Sequence, residues 1–227
     1  MTEILTSLFP NIEKLWPHIL EAWGETALMV VISGIFACIL GVPLGILLAV
    51  TKKGQLMENG PLYSLLSKAI NTLRSIPFVI LIAAIPWLVR AIVGTTIGLK
   101  GAIVPLIIAC TPFIARQTEL ALARIDPGVI EAYKAMGFSS FDIIRKVMLR
   151  EGLSGIIQAL TLAMVSLVSF SAVAGSVGGG GLGDFAIRYG YTQHKNDVML
   201  LTILLILLMV FVIQAVGDRL SKWVSHQ

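Results

Sequence analysis

Charge is the first thing this sequence lacks. Only 13% of its 227 residues are Asp, Glu, Lys or Arg, and 56% are hydrophobic, where soluble globular chains carry about 25% charged and roughly 45–50% apolar residues. A chain with so few charges and a mean hydropathy of +0.89 cannot hide its apolar surface in one water-soluble core, and the bilayer is its natural solvent. Cysteine is scarce: Cys38 and Cys110 sit in apolar runs without metal-ligand spacing and read as small buried apolar residues. His18, His194 and His226 are scattered, again without metal spacing, and no nucleophile stands beside a base. A membrane enzyme is therefore disfavoured, with no catalytic and no metal-binding residues expected. There is no G-x-x-x-x-G-K-[ST] run to hold ATP. Gly178, Gly180 and Gly183 match G-x-G-x-x-G by spacing but follow an apolar span and lack a βαβ context, so they point to a tight re-entry or close packing of the chain rather than to a dinucleotide. Residues 1–17 carry Glu3 and Glu13 and lack the basic start and apolar stretch of a cleavable signal.

What the chain has instead is long apolar runs. Spans of about 20 residues are expected at 26–50, 62–89, 102–122, 152–173 and 198–217, the second interrupted by Lys68 and Arg74. Pro43, Pro77, Pro86, Pro105 and Pro112 fall inside these runs; a membrane bundle tolerates them because neighbouring helices re-satisfy the freed carbonyls. The fold class expected is an all-α membrane protein, with residues 1–227 forming a single transmembrane domain of five helices. Gly34, Ala37, Gly41 and Gly45 recur at helical spacing in the first span, where small residues either let helices approach closely or face lipid.

Five spans put the termini on opposite sides. With the N-terminus outside, the inner segments hold Lys52, Lys53, Arg116, Arg124, Lys134, Arg145, Lys146, Arg150, Arg219 and Lys222, and the outer ones Lys14, Arg90, Lys100, Arg188 and Lys195. The excess of inner cations predicts N-out, C-in, with Lys68 and Arg74 snorkelling at the inner end of the second span. An ion-coupled carrier would need ionisable groups within its spans, yet the acids lie outside the runs or at their edges. Glu119, near an inner end, has Arg116 one turn before it as its expected partner. An ATP-independent carrier or channel is thereby disfavoured.

The longest polar segment, 124–150, falls on the inner face. Asp126 suits an N-cap and Pro127 the first helical position, while Glu131 adds charge favoured by the helix dipole. The helix is expected to stop near Met136, with Gly137 as its left-handed terminator and Ser139 or Ser140 capping the next. In 141–150 the apolar Ile143, Ile144, Val147 and Met148 share one face, opposite Asp142, Arg145, Lys146 and Arg150. By pattern this helix–Gly–helix element is either a surface hairpin without a partner or a docking element.

Glu131-Ala132, Gly137, Val147 and Leu149 resemble the EAA motif of ABC importer permeases, which forms a coupling helix seated in a groove of the ATP-binding subunit. Tyr133, Val147 and Arg150 depart from the motif, standing where it has Ala, Ile and Pro. The resemblance extends to RSIPF at 74–78, VGTTIGLKGAIVPL at 93–106, PFIAR at 112–116, EAYKAMG at 131–137 and SAVAGSVGGGGLGDFAIRYGY at 171–191. With these the chain resembles the permeases of the methionine-uptake ABC transporter family. That resemblance implies a type I ABC importer permease fold and a homodimer in the bacterial inner membrane, surrounded by its lipids. It also implies two copies of a cytoplasmic ATP-binding subunit and an extracytoplasmic substrate-binding protein or lipoprotein. No nucleic acid is implied, and no cofactor in this chain, ATP being held by the partner. Import of L- or D-methionine would proceed by alternating access, with other small amino acids or methionine derivatives as competing substrates. In the fourth span Ser166, Ser169, Phe170 and Ser171 are candidates to line the path and Met164 to serve as a soft apolar gate; ordinary helix packing is the competing role for each.

Overall fold

A computed structural model describes residues 12–225. Glu3 and His226 lie outside the described residues, as do the side chains of Glu13 and Lys14. Among the described residues every regular element is helical: α1 Ile12–Thr51, α2 Gly60–Ser75, α3 Phe78–Ala84, α4 Pro86–Val93, α5 Gly98–Leu122, α6 Pro127–Ala135, α7 Ser140–Asp142, α8 Leu149–Glu151, α9 Leu153–Ala174, α10 Gly181–Phe185 and α11 Asn196–Ser225. Wide π turns fill Ile143–Met148 and Ala186–Tyr191, and at Gly175–Gly179 the chain kinks, with Val177 (φ −112°, ψ 23°) and Gly178 (φ +92°, ψ 15°) leaving helical angles.

Among the described residues four helices are long and apolar enough to cross a bilayer, at Leu15–Thr51, Gly98–Leu122, Leu153–Gly179 and Asn196–Ser225, or five if α2 and α3 count as one broken span. The run at 62–89, expected as one span interrupted by Lys68 and Arg74, is three helices. Proline supplies the reason, since it lacks an N–H and pushes its predecessor out of the helical region. Ile76 (φ −78°, ψ 120°) and Pro77 (φ −57°, ψ 135°) are extended between α2 and α3, and Ile85 (φ −112°, ψ 26°) leaves the helix before Pro86 opens α4. Pro43, Pro105 and Pro112 by contrast stay within α1 and α5.

The packing resolves into two compact units, each assembled from segments distant in sequence. The first takes the described residues up to Ile35 with Pro77–Ile108 and Met164–Ile213. Its core holds Ile19, Ala22, Leu182, Phe185 and Val198, and Gly34 of α1 lies against the Met164 side chain. The second takes Phe36–Ile76, Ala109–Ala163 and the chain from Gln214 on. One cluster here joins Leu48, Ile70 and Ala115; a larger one joins Ala49, Val50, Leu122, Ile143, Val147 and Met148. Gly41 abuts Ile114, and Gly45 abuts the Ala115 carbonyl and Thr118. At these positions the small residues of α1 serve close helix approach rather than contact with lipid.

Candidate functional site

The 124–150 segment forms as its residues require. The Asp126 carboxylate accepts the Gly128 N–H at 2.8 Å, with Pro127 at the first helical position of α6. Gly137 ends the element at φ +82°, a left-handed conformation that costs glycine nothing. Its N–H donates to Lys134 O and that of Phe138 to Tyr133 O, at 3.0 and 3.2 Å. Ser139 then caps the following run: its hydroxyl accepts the Asp142 N–H at 3.2 Å and donates to Asp142 Oδ2 at 2.6 Å. Lys146 pairs with Asp142 at 2.9 Å and sits 5.9 Å from the centre of the Phe138 ring, which meets Tyr133 edge-on at 5.2 Å. The Ser139 hydroxyl, and after it the Lys146 ammonium, hold the Asp142 carboxyl below the ordinary aspartate range.

The motif residues separate into two groups. Glu131, Ala132 and Gly137 are exposed, next to the exposed apolar side chains of Met136, Phe138 and Phe141. Val147 is buried and Leu149 half-buried against the core cluster. The first three present a surface, and the last two anchor it. Tyr133, unmatched in the motif, packs on the same cluster and braces the turn through Phe138. Arg150 produces no break. Gly152 keeps helical angles, its N–H donating to Met148 O at 2.8 Å and its carbonyl accepting from Ile156 at 2.9 Å.

The candidate path residues on α9 differ among themselves. Ser171 is buried and donates to the Val168 carbonyl at 2.7 Å, an intrahelical role. Phe170 stacks on Phe78 at 5.0 Å between ring centres. Met164 covers Gly34. Ser166 is half-buried and Ser169 exposed, on a face shared with Leu162 and Val173 by helical spacing.

Two features escaped the sequence reading. Glu25 and Thr26 of α1 cap α10 from 156 residues away: the Glu25 carboxylate accepts the Gly181 N–H at 2.6 Å and Thr26 Oγ1 the Leu182 N–H at 2.8 Å. The glycine run makes this possible, since Gly180 and Gly181 have φ of +81° and +74° and lie directly against Glu25 and Thr26. The only signal in the sequence was an acid at a span edge. The second feature is the extent of the polar network around Glu119. Arg116 pairs with it as expected, Tyr63 donates to it at 3.1 Å, and Arg116 also donates to Ser67 and Asn71 at 2.8 and 2.9 Å. This network ties α2 to α5. Among the described residues no group of three His, Cys, Asp or Glu side chains is placed to hold a metal ion.

Comparison with known proteins agrees with this architecture. Residues 41–226 match the model of a family described as the binding-protein-dependent transport system inner membrane component. The chain is 46% identical over 209 residues to the probable D-methionine transport system permease protein MetI of Vibrio cholerae, across 92% of this chain and 93% of that one. It is 45% identical over 161 residues to the D-methionine transport system permease protein MetI of Escherichia coli K12, across 71% and 74%. Its fold matches a chain of the inward-facing MetNI methionine ABC transporter with a TM-score of 0.91 at 43% identity, across 93% of this chain and 98% of that chain. A chain of an amino acid ABC transporter crystallised with histidines matches at 0.77 and 15% identity, across 94% and 97%, a likeness of fold alone.

Proposed function

The chain belongs to the family of binding-protein-dependent transport system inner membrane components, and from that premise we propose that it carries methionine, in its D or L form, into the cytoplasm. It is the inner-membrane permease of an ABC importer, with a type I fold. The observation that carries the coupling half of the proposal is the exposed face of Glu131, Ala132, Met136, Gly137 and Phe141, fixed to the core by Val147 and Leu149. Such a rigid, partly apolar knob suits helix-in-groove recognition by a second protein. Its partner is a cytoplasmic ATP-binding subunit, present in two copies against a homodimer of this chain. ATP is bound there, and this chain needs no cofactor of its own. A substrate-binding protein delivers the amino acid on the outer side. The N-terminus lies outside and the C-terminus inside, in keeping with the cations around 124–150. On α9, Ser166, Ser169 and Phe170 flank the path and Met164 gates it, while Ser171 holds the helix.

The test is reconstitution of this chain in vesicles with its ATPase and binding protein. ATP-dependent uptake of labelled methionine, competed by both stereoisomers and not by polar amino acids, is the expected result. Uptake without the ATPase, or uptake indifferent to unlabelled methionine, would refute the proposal. Gly137→Pro cannot adopt φ +82° and loses the N–H that closes α6, so it is expected to abolish co-purification of the ATPase while the chain still reaches the membrane. Full recovery of the ATPase with this variant would contradict the coupling role.

A further inference from the structure

Within the second unit α2 runs antiparallel along α5, from its inner end upward. Tyr63 reaches Glu119, Ser67 and Asn71 reach Arg116, and Ile70 packs with Ala115 and Leu48. The last turn of α2 then brings Arg74 over the Phe113 ring, 5.7 Å from its centre. Phe113 stands nine residues before Leu122, the end of α5. At about 1.5 Å per residue that is about 13 Å up the helix, near the middle of a hydrocarbon core roughly 30 Å thick. Arg74, expected to snorkel to the inner headgroups, is held too deep to reach them. The residue is exposed, and among the described residues no carboxylate pairs with it. Glu119, on the same helix as Phe113, is taken up by Arg116 and Tyr63.

Helical spacing sorts the other exposed residues of α2 into two faces. Leu65, Ala69 and Leu73 make an apolar one, which lipid or protein can cover. Ser64, Lys68, Thr72 and Ser75 make a polar one, with Arg74 at its edge. Cations on an exposed face at this depth are costly against hydrocarbon and mark a water-filled passage. A second copy packed tightly there about a two-fold axis would set Lys68 against Lys68 and Arg74 against Arg74, like charges that need water between them. A guanidinium keeps its charge in proteins, and low-dielectric walls focus its field. We infer that Arg74, seconded by Lys68, is a charge filter of the passage: it turns away solutes of net positive charge, cationic amino acids and inorganic cations alike, and lets a zwitterion of no net charge through. A fixed arginine is a known way for a membrane passage to exclude cations. The inference rests on the reading of the chain as a permease and concerns which solutes are refused, not where one binds.

The test uses the complete transporter in lipid nanodiscs, both faces open to reagent, with Cys38→Ser and Cys110→Ala and with Ser75→Cys as a reporter on the polar face. The thiol is modified by an anionic sulfonatoethyl or a cationic trimethylammonioethyl methanethiosulfonate. The ratio of the two rates, divided by the same ratio for a free thiol in water, reads the local charge. It is expected to favour the anionic reagent about tenfold, the size of a unit charge acting across a few ångströms of watery passage. Arg74→Met should remove most of that preference, whereas Arg74→Lys, which disturbs the stacking on Phe113 but keeps the charge, should retain it. Lys68→Met should lower it about threefold, and this variant carries the test if Arg74→Met does not assemble. A thiol that neither reagent reaches, with or without trapped nucleotide, would overturn the filter, because the face would then be covered by lipid or by a second copy. So would a ratio that Arg74→Met or, in its stead, Lys68→Met leaves unchanged. Methionine uptake by the unsubstituted transporter separates the two levels. Intact uptake without the charge preference removes the filter alone, whereas absent uptake removes the reading of function on which it rests.

Discussion

Replacing Arg116 by methionine takes from Glu119 its ion partner while leaving the carboxylate where it is. The Glu119 side chain is 5% exposed and that of Arg116 15%, so neither charge has water to fall back on. Tyr63 still donates to Glu119, and the contacts to Ser67 and Asn71 add little because Asn71 is exposed. Removing one member of a buried pair costs about 3–5 kcal/mol; with Tyr63 retained, the lower end, about 3 kcal/mol, is expected. That is roughly a 150-fold change in the unfolding equilibrium. Cys110 is fully buried in the same helix and reports the transition: with Cys38→Ser, its alkylation during SDS titration follows the opening of this unit. The double variant Arg116→Met, Glu119→Leu removes both charges and should recover most of the loss, as buried pairs replaced by apolar residues commonly do. A loss under about 0.5 kcal/mol for Arg116→Met, or a double variant as unstable as the sum of the singles, would show that the pair does not act as a buried unit.

Other substitutions probe separate contacts. A Cβ on Gly45 would lie 2.5 Å from the Ala115 carbonyl and from Thr118 Cβ, so Gly45→Val should cost about 1–3 kcal/mol or more in the same titration. Gly24→Ala, with nothing within 4 Å of its new methyl, should be neutral or stabilising. Glu25→Gln turns a charge-assisted hydrogen bond into a neutral one, and faster amide exchange at Gly181 and Leu182 is the expected sign, at a cost of about 1 kcal/mol. Asp142, held below its ordinary value of about 3.9, contributes its stabilisation at every pH above that value and loses it as pH falls through the lowered one. In an infrared carboxyl titration Ser139→Ala and Lys146→Met should each raise the Asp142 midpoint, since the serine hydroxyl and the lysine ammonium both hold it down; an unmoved midpoint in either variant would refute this.

The helix–Gly–helix element at 124–150 was legible because its signals are local. Asp126, Pro127, Gly137 and Ser139 each act within four residues, and the apolar face of 141–150 declares its own burial. The spans at 26–50, 102–122, 152–173 and 198–217 were legible because hydropathy needs no partner. Their helices run longer at several ends, as α1 does to Ile12, because flanking polar residues continue a helix without adding to an apolar count. The second span misled because prolines inside an apolar run are ambiguous. Pro43 is absorbed within a helix, while Pro77 and Pro86 stand at breaks. The Glu25 cap on Gly181 was not legible, since it joins residues 156 apart. The split of the motif into exposed and anchoring residues depended likewise on which face of the helix met Ala49, Val50 and Leu122.

No joint separates the knob from the membrane shaft above it. From Ser139 the backbone turns continuously through Gly152 and on into the apolar run, with neither proline nor loop to absorb a push. Under the proposed function a jointed linkage would let a partner's push dissipate near residue 150, whereas a stiff one would pass it on along the helix that follows, so the yield of each push would hang on a few helical hydrogen bonds there.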